Sequence, residues 1–172
     1  ERVRSLVALS TPHMTAFGRA LSDPNSAQSQ ASSYMTMFRS AGSEQLFLAN
    51  EAQLLKSILS QFSSSETDLN LYLSLLGTPD ALRAALNWYR SAIPSQGDAP
   101  PASPAMVSTP TLYVWSTEDC CFDRGTAEAS EEFVTGPYQF EVLEGVSHWI
   151  AEEATDDLNE LLVEHLEQWR GR

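Results

Sequence analysis

The sequence predicts an α/β fold on a parallel sheet, with a helical insertion between the first strand and the second. Three observations predict it. Val3 to Leu9 (VRSLVAL) is a near-continuous apolar run, as expected of a strand covered on both faces. Residues 111–172 alternate strand, helix, strand, helix, the pattern of parallel crossover units. The stretch between them is helical in pattern and contains no convincing strand.

Taken in order, residues 1–14 form the first strand and its end. Residues 15–93 form the helical insertion, with helices expected at Ser32–Arg39, Glu44–Phe62, Asp68–Leu76 and Pro79–Ala92. The last is well punctuated: Gly77 ends one helix, Thr78 can cap the next, and Pro79 occupies its first turn. Leu82, Leu86, Tyr89 and Ile93 then share one face. Residues 94–110 hold five of the nine prolines and read as a linker.

Residues 111–172 return to the sheet. Thr111–Trp115 follows Pro110 and is rich in β-formers, and Tyr138–Leu143 follows the turn-like Gly136-Pro137. Between them Arg124–Val134 is expected to be helical. In the closing helix Leu158, Leu161, Leu162, Leu166 and Trp169 recur at helical spacing. Thr155 is its expected N-cap, with Asp156 and Asp157 at the favourable end of the dipole.

The 172 residues fit one domain, or one domain with a sizeable insertion, and 42% hydrophobic content allows a buried core. A formal charge of −13 argues against nucleic acid or an anionic membrane surface as partner, because both need a basic face. The only cysteines, Cys120 and Cys121, are adjacent. They close too small a ring for a structural disulfide and lack zinc-site spacing, so a reducing, cytoplasmic setting is expected. No apolar run is long enough to span a bilayer, and no leader is recognisable.

In open parallel sheets functional groups gather beyond the carboxyl ends of strands. TLYVW runs into Ser116-Thr117-Glu118-Asp119, and YQFEVLEG runs into Val146-Ser147-His148-Trp149. An Asp that orients a His, which acts as general base, is the supporting part of a nucleophile–His–acid triad. Asp119 and His148, in this order on consecutive strands, are therefore the catalytic candidates. His13 reads as a loop residue, His165 as a partly exposed helix residue, and Trp149 as a wall beside His148.

At these motifs the chain resembles the α/β-hydrolases. ERVRSLVALSTPH resembles the strand after the nucleophile-bearing helix, PTLYVWSTEDCCFD the strand of the triad acid, and FEVLEGVSHWI the strand of the triad histidine. Within the insertion, Tyr34–Gly42 (YMTMFRSAG) and Asn87–Arg90 (NWYR) are similar to two cap motifs of epoxide hydrolases. The resemblance implies the C-terminal part of an α/β-hydrolase parallel sheet with an inserted helical cap. It also implies that Tyr34 and Tyr89 donate hydrogen bonds to an epoxide oxygen, with Tyr72 competing for the place given to Tyr34. A neutral phenol suits that task, since it is still a donor at pH 7 as charge builds on the opening ring. The implied substrate is a small apolar epoxide, with no metal or organic cofactor.

One part of the family's machinery has no counterpart in the sequence. There is no G-x-S-x-G elbow, no His-Asp-Trp-Gly and no His-Gly-x-Pro loop. Ser10 follows a strand, yet Thr11-Pro12 comes next, and Ser116 stands where the family commonly has glycine. The expectation is a chain inactive alone, whose nucleophile half would precede residue 1. Such a chain would need an N-terminal partner segment or would self-associate. The rival readings are another α/β-hydrolase, such as a haloalkane dehalogenase or esterase, and a non-catalytic, ligand-binding pseudoenzyme.

Overall fold

The computed structural model describes residues 3–60, 65–91 and 105–170. The chain divides into two compact units, Glu1–Ser32 with Pro94–Arg172, and Ser33–Ile93. Residues 15–32, expected in the insertion, lie in the first unit. The reason is local: α1 (Met14–Leu21) buries Ala16, Phe17 and Leu21, and α2 (Ala27–Ala31) buries Gln28 and Ser29 within that unit. Most of the expected linker, residues 94–104, lies outside the described residues. Its end is held by a parallel bridge between Val107 and Val134.

The first unit is built on a parallel sheet of order β1-β2-β3, comprising β1 (Leu6–Leu9), β2 (Thr111–Glu118) and β3 (Tyr138–Ser147). β2 is central and buried from Thr111 to Ser116. Its two-residue period sends Leu112 and Val114 to one face, where they meet Ile150 and Leu158. Tyr113 and Trp115 go to the other face and meet Ala127. The strands beside it are only half-buried. Val3, expected within the first strand, is 53% exposed and precedes it.

Between β2 and β3 the expected single helix is α7 (Arg124–Glu128) followed by a 3-10 turn at Ala129–Phe133. Asp123 caps α7 by accepting from the Thr126 N–H at 3.1 Å. The chain closes with α8 (Ile150–Glu153) and α9 (Thr155–Trp169). Thr155 is not the cap: Ala154 holds that position, and the Thr155 hydroxyl donates to the Ala151 carbonyl at 2.7 Å. The buried face of α9 is Leu158, His165 and Trp169, whereas Leu166 is 55% exposed. His165, expected near the surface, thus takes the position on the buried stripe assigned to Leu166.

The second unit contains α3 (Tyr34–Arg39), α4 (Ser43–Leu59), α5 (Glu66–Leu76) and α6 (Pro79–Ser91). Its core is Phe47, Leu55, Leu59, Leu82 and Leu86, with Tyr72 packed against it. α4 is interrupted at Ala49–Ala52, where Asn50, Glu51 and Ala52 take left-handed angles. Glu44 is buried and paired with Arg90 at 2.8 Å, and that guanidinium holds its carboxyl below the usual carboxylate range. Among the described residues no helix is long and apolar enough to cross a membrane.

Two outcomes follow. Leu112→Ala removes a side chain with no exposed surface from the middle of the sheet and should cost about 2–5 kcal/mol in urea unfolding. Burial lowers the His165 pKa below its ordinary 6.5, with the Leu6 backbone partly offsetting it. The unfolded chain therefore binds the proton first. Stability should be fully present above pH 6.5 and fall as the pH drops below it. His165→Leu should flatten that part of the profile; an unchanged slope would contradict the assignment.

Candidate active site

All three strands run parallel, so their carboxyl ends open on one edge of the sheet. Ser10 lies at the first end, Asp119 just past the second and His148 just past the third. The pairing of β2 with β3 is regular to Ser116↔Leu143 and then jumps to Glu118↔Ser147, so β3 carries extra residues here. Gly145 turns the bulge at φ +71°, a left-handed angle that a side chain would strain, and its N–H donates to the Thr117 hydroxyl at 2.8 Å. The bulge carries Ser147 and His148 back beside the end of β2. The Ser116 hydroxyl fixes that return by donating to the Ser147 carbonyl at 2.6 Å.

His148 Nδ1 lies 3.0 Å from Asp119 Oδ2 and 3.1 Å from Oδ1. The Asp119 side chain has 0% exposure and that of His148 has 19%. A buried carboxylate must be hydrogen-bonded throughout, and this one is. Oδ1 accepts from the Cys121 N–H at 2.8 Å and the Phe122 N–H at 2.9 Å. Oδ2 faces the imidazole. With Nδ1–H given to Asp119, the far ring nitrogen is left as the acceptor, the state a general base needs. Phe122 and Trp149 flank the ring, at centroid distances of 5.8 and 5.1 Å. Glu118, the neighbouring carboxylate, is exposed instead.

The loop carrying those two N–H donors is itself clamped by Gln28, which sequence reasoning missed. Its amide is 1% exposed, and both ends are used. Nε2 donates to the Cys121 carbonyl at 2.7 Å and to the Ser32 hydroxyl at 2.8 Å, while Oε1 accepts from the Asp123 N–H at 3.1 Å. No spacing betrays such a residue in a Ser- and Gln-rich stretch; only its burial does. The Trp115 indole N–H adds a further bond to the Phe122 carbonyl at 3.0 Å.

Ser10 is 3% exposed with φ 45°, and its hydroxyl has no hydrogen-bond partner among the described residues. So deep a hydroxyl is poorly placed to meet a substrate. His13 is the N-cap of α1: Nδ1 accepts from the Thr15 N–H at 3.2 Å, the ring stacks on Phe133 at 4.7 Å, and burial lowers its pKa.

Tyr34 and Tyr89 both belong to the second unit. Their rings meet edge to face at 6.1 Å, and both contact Phe38, at 5.2 Å from Tyr34 and 4.8 Å from Tyr89. Arg90 explains the order in this corner, donating to Glu44 at 2.8 Å and to the Ser43 hydroxyl at 2.9 Å. Arg39 closes it with a 2.7 Å bond to the Tyr89 carbonyl. Tyr34 and Tyr89 are thus brought together, while Tyr72 packs against the apolar core of the unit.

No protein-family model matches the chain. The chain is 27% identical to epoxide hydrolase 4 of Homo sapiens, over 98% of this chain and 48% of that protein. It is 26% identical to epoxide hydrolase 3 of Mus musculus, over 81% of this chain and 39% of that protein. The chain spans about half the length, or less, of these curated relatives. Among solved structures, it matches an epoxide hydrolase of the α/β-hydrolase superfamily from hot-environment metagenomes. The TM-score is 0.79 at 24% identity, covering 96% of this chain and 59% of that one. The chain has the α/β-hydrolase fold and an epoxide-hydrolase-like sequence.

Gln28→Leu should leave the Cys121 carbonyl and Asp123 N–H without their buried partner, at a cost of about 1–3 kcal/mol each. Urea unfolding checks this. A loss below about 0.5 kcal/mol would mean the loop holds Asp119 without the amide.

Proposed function

We propose that this epoxide-hydrolase-like segment supplies the acid–base half of an epoxide-opening site, with the nucleophile provided from outside its 172 residues. The observation that carries the reading is the 3.0 Å contact between His148 and the buried carboxylate of Asp119. In the reaction a carboxylate nucleophile attacks an epoxide carbon, the carbon–oxygen bond breaks, and an ester forms. The oxygen that leaves the ring gains negative charge. Tyr34 and Tyr89 would donate their hydroxyl protons toward it. The far nitrogen of His148 then takes a proton from water, and the hydroxide attacks the ester carbonyl to release a diol. Asp119 stabilises the imidazolium formed in that step.

The division of labour suits the chemistry. Opening the epoxide needs a nucleophile and oxygen donors, whereas cleaving the ester needs only water and a base. Loss of the base therefore stops the cycle at the ester, before any diol is released, and loss of the nucleophile stops it before the ring opens. The segment that bears the nucleophile would extend the sheet beyond β1, whose Leu6 is 39% exposed. Without it we expect copies of the chain to associate through the same strand. Two reduced cysteines fit a reducing compartment such as the cytoplasm.

The chain alone should hydrolyse an aryl epoxide no faster than buffer, and size exclusion with light scattering should find it associated. With the nucleophile-bearing segment restored, His148→Gln should trap the ester, seen by mass spectrometry as one added epoxide on that segment. Tyr89→Phe should slow its formation by about 100-fold or more. Halide release or ester cleavage without diol formation would transfer the site to a neighbouring α/β-hydrolase chemistry. Turnover by the chain alone that His148→Gln abolishes would overturn the external nucleophile.

A further inference from the structure

The loop that positions Asp119 carries two thiols that the reaction above does not use. Cys120 and Cys121 are both reduced, and their sulfurs lie 3.8 Å apart. One ligand atom each from Asp119, Cys121 and His148 lies within 4.8 Å of the others. We infer that Cys121, His148 and Asp119 form a site for a soft divalent cation of the zinc class, with Cys120 as the adjoining thiolate.

The donor set selects the ion. Thiolate, imidazole and carboxylate together suit zinc or cadmium, whereas magnesium and calcium require oxygen ligands throughout. The geometry is close to what such an ion needs. Zinc bonds of about 2.3 Å to sulfur at a tetrahedral angle place two thiolates about 3.8 Å apart. That is the present Cys120–Cys121 separation. Imidazole and carboxylate ligands of one zinc stand about 3.3 Å apart, from bond lengths of about 2.0–2.1 Å. The 3.0 Å between His148 Nδ1 and Asp119 Oδ2 is within a few tenths of this. The remaining separations within the group of three, at most 4.8 Å, must contract on binding, and Cys120, outside that group, joins through its 3.8 Å contact with Cys121.

The surroundings of the carboxylate favour the same ion. Oδ1 is already held by the Cys121 and Phe122 N–H groups, so Oδ2 can turn to a metal while its partner oxygen stays fixed. His148 is 19% exposed and Cys120 lies at the surface, which gives an ion a way in. On coordination each thiol releases its proton to solvent and binds as thiolate, and the His148 ring binds through Nδ1 as its proton moves to the far nitrogen. The ion would also hold the His148–Asp119 pair. On the functional reading above, occupancy would therefore silence the base; binding itself does not depend on that reading.

The test is a titration of the reduced 172-residue chain in non-chelating buffer, with zinc followed by calorimetry and cobalt by absorption. A single saturable site is expected, with a thiolate-to-cobalt charge-transfer band and no response to magnesium. Cys121→Ser and His148→Gln should each weaken zinc more than about tenfold, and Cys120→Ser should reduce the charge-transfer band. In the unmodified chain, zinc should slow alkylation of both cysteines, a readout that needs no variant to fold. Binding unchanged in Cys121→Ser and His148→Gln would place the ion on surface carboxylates and overturn the inference. So would alkylation at the same rate with and without zinc. Turnover plays no part in this titration, so failure of the epoxide reading and failure of the metal site are separately visible.

Discussion

A carboxylate with no exposed surface stands at the end of the central strand, and its need for hydrogen bonds organises much of the surrounding unit. Asp119 cannot keep its charge in a buried position unless both oxygens are matched. One is matched by two backbone N–H groups of the following loop and the other by His148. Each partner is in turn held in place. The loop is clamped by Gln28 from α2 and by the Trp115 indole from β2. His148 is delivered by the bulge in β3, turned by Gly145 and fixed by Ser116. The buried acid is thus the centre of a polar assembly resting on an apolar sheet.

The apolar sheet and the polar assembly do different work. Leu112 and Val114 on one face of β2, and Tyr113 and Trp115 on the other, fix the strand on both sides. A strand so fixed ends at a defined point, which sets the position of Asp119 more tightly than a loop could. In the second unit a different polar pair has the comparable role. Glu44 and Arg90 tie α6 to the first turn of α4, and the rings of Tyr34 and Tyr89 meet edge to face in the same unit. The charge of −13 is not needed for either arrangement, and it disfavours acidic partners and polyanions.

Much of this was legible in the sequence because it follows short periods. Two-residue alternation and apolar runs gave the three strands, and Asp119 and His148 stood at the ends of two of them. The helical insertion was visible from 3.6-residue spacing and from the Gly77-Thr78-Pro79 boundary. What was missed depends on tertiary contact. Residues 15–32 look like further insertion, yet Phe17, Leu21 and Gln28 bury themselves in the sheet-bearing unit. His165 and Leu166 exchange the expected burial because adjacent helix positions differ by about 100°, and a small rotation of the apolar stripe decides between them. Gln28 carries no pattern at all. The β3 bulge was unreadable for a related reason: Gly145 signals a turn, but only the pairing partner shows how many residues it inserts.

The central claim is that Asp119 holds His148 in the tautomer that leaves its far nitrogen free to accept a proton. Nitrogen-resolved NMR of the imidazole in the 172-residue chain at neutral pH tests this directly. The account predicts a neutral ring protonated at Nδ1, with a slowly exchanging Nδ1–H resonance that Asp119→Asn removes. A ring protonated at Nε2 in the unaltered chain, or an Nδ1–H signal indifferent to Asp119→Asn, would contradict it.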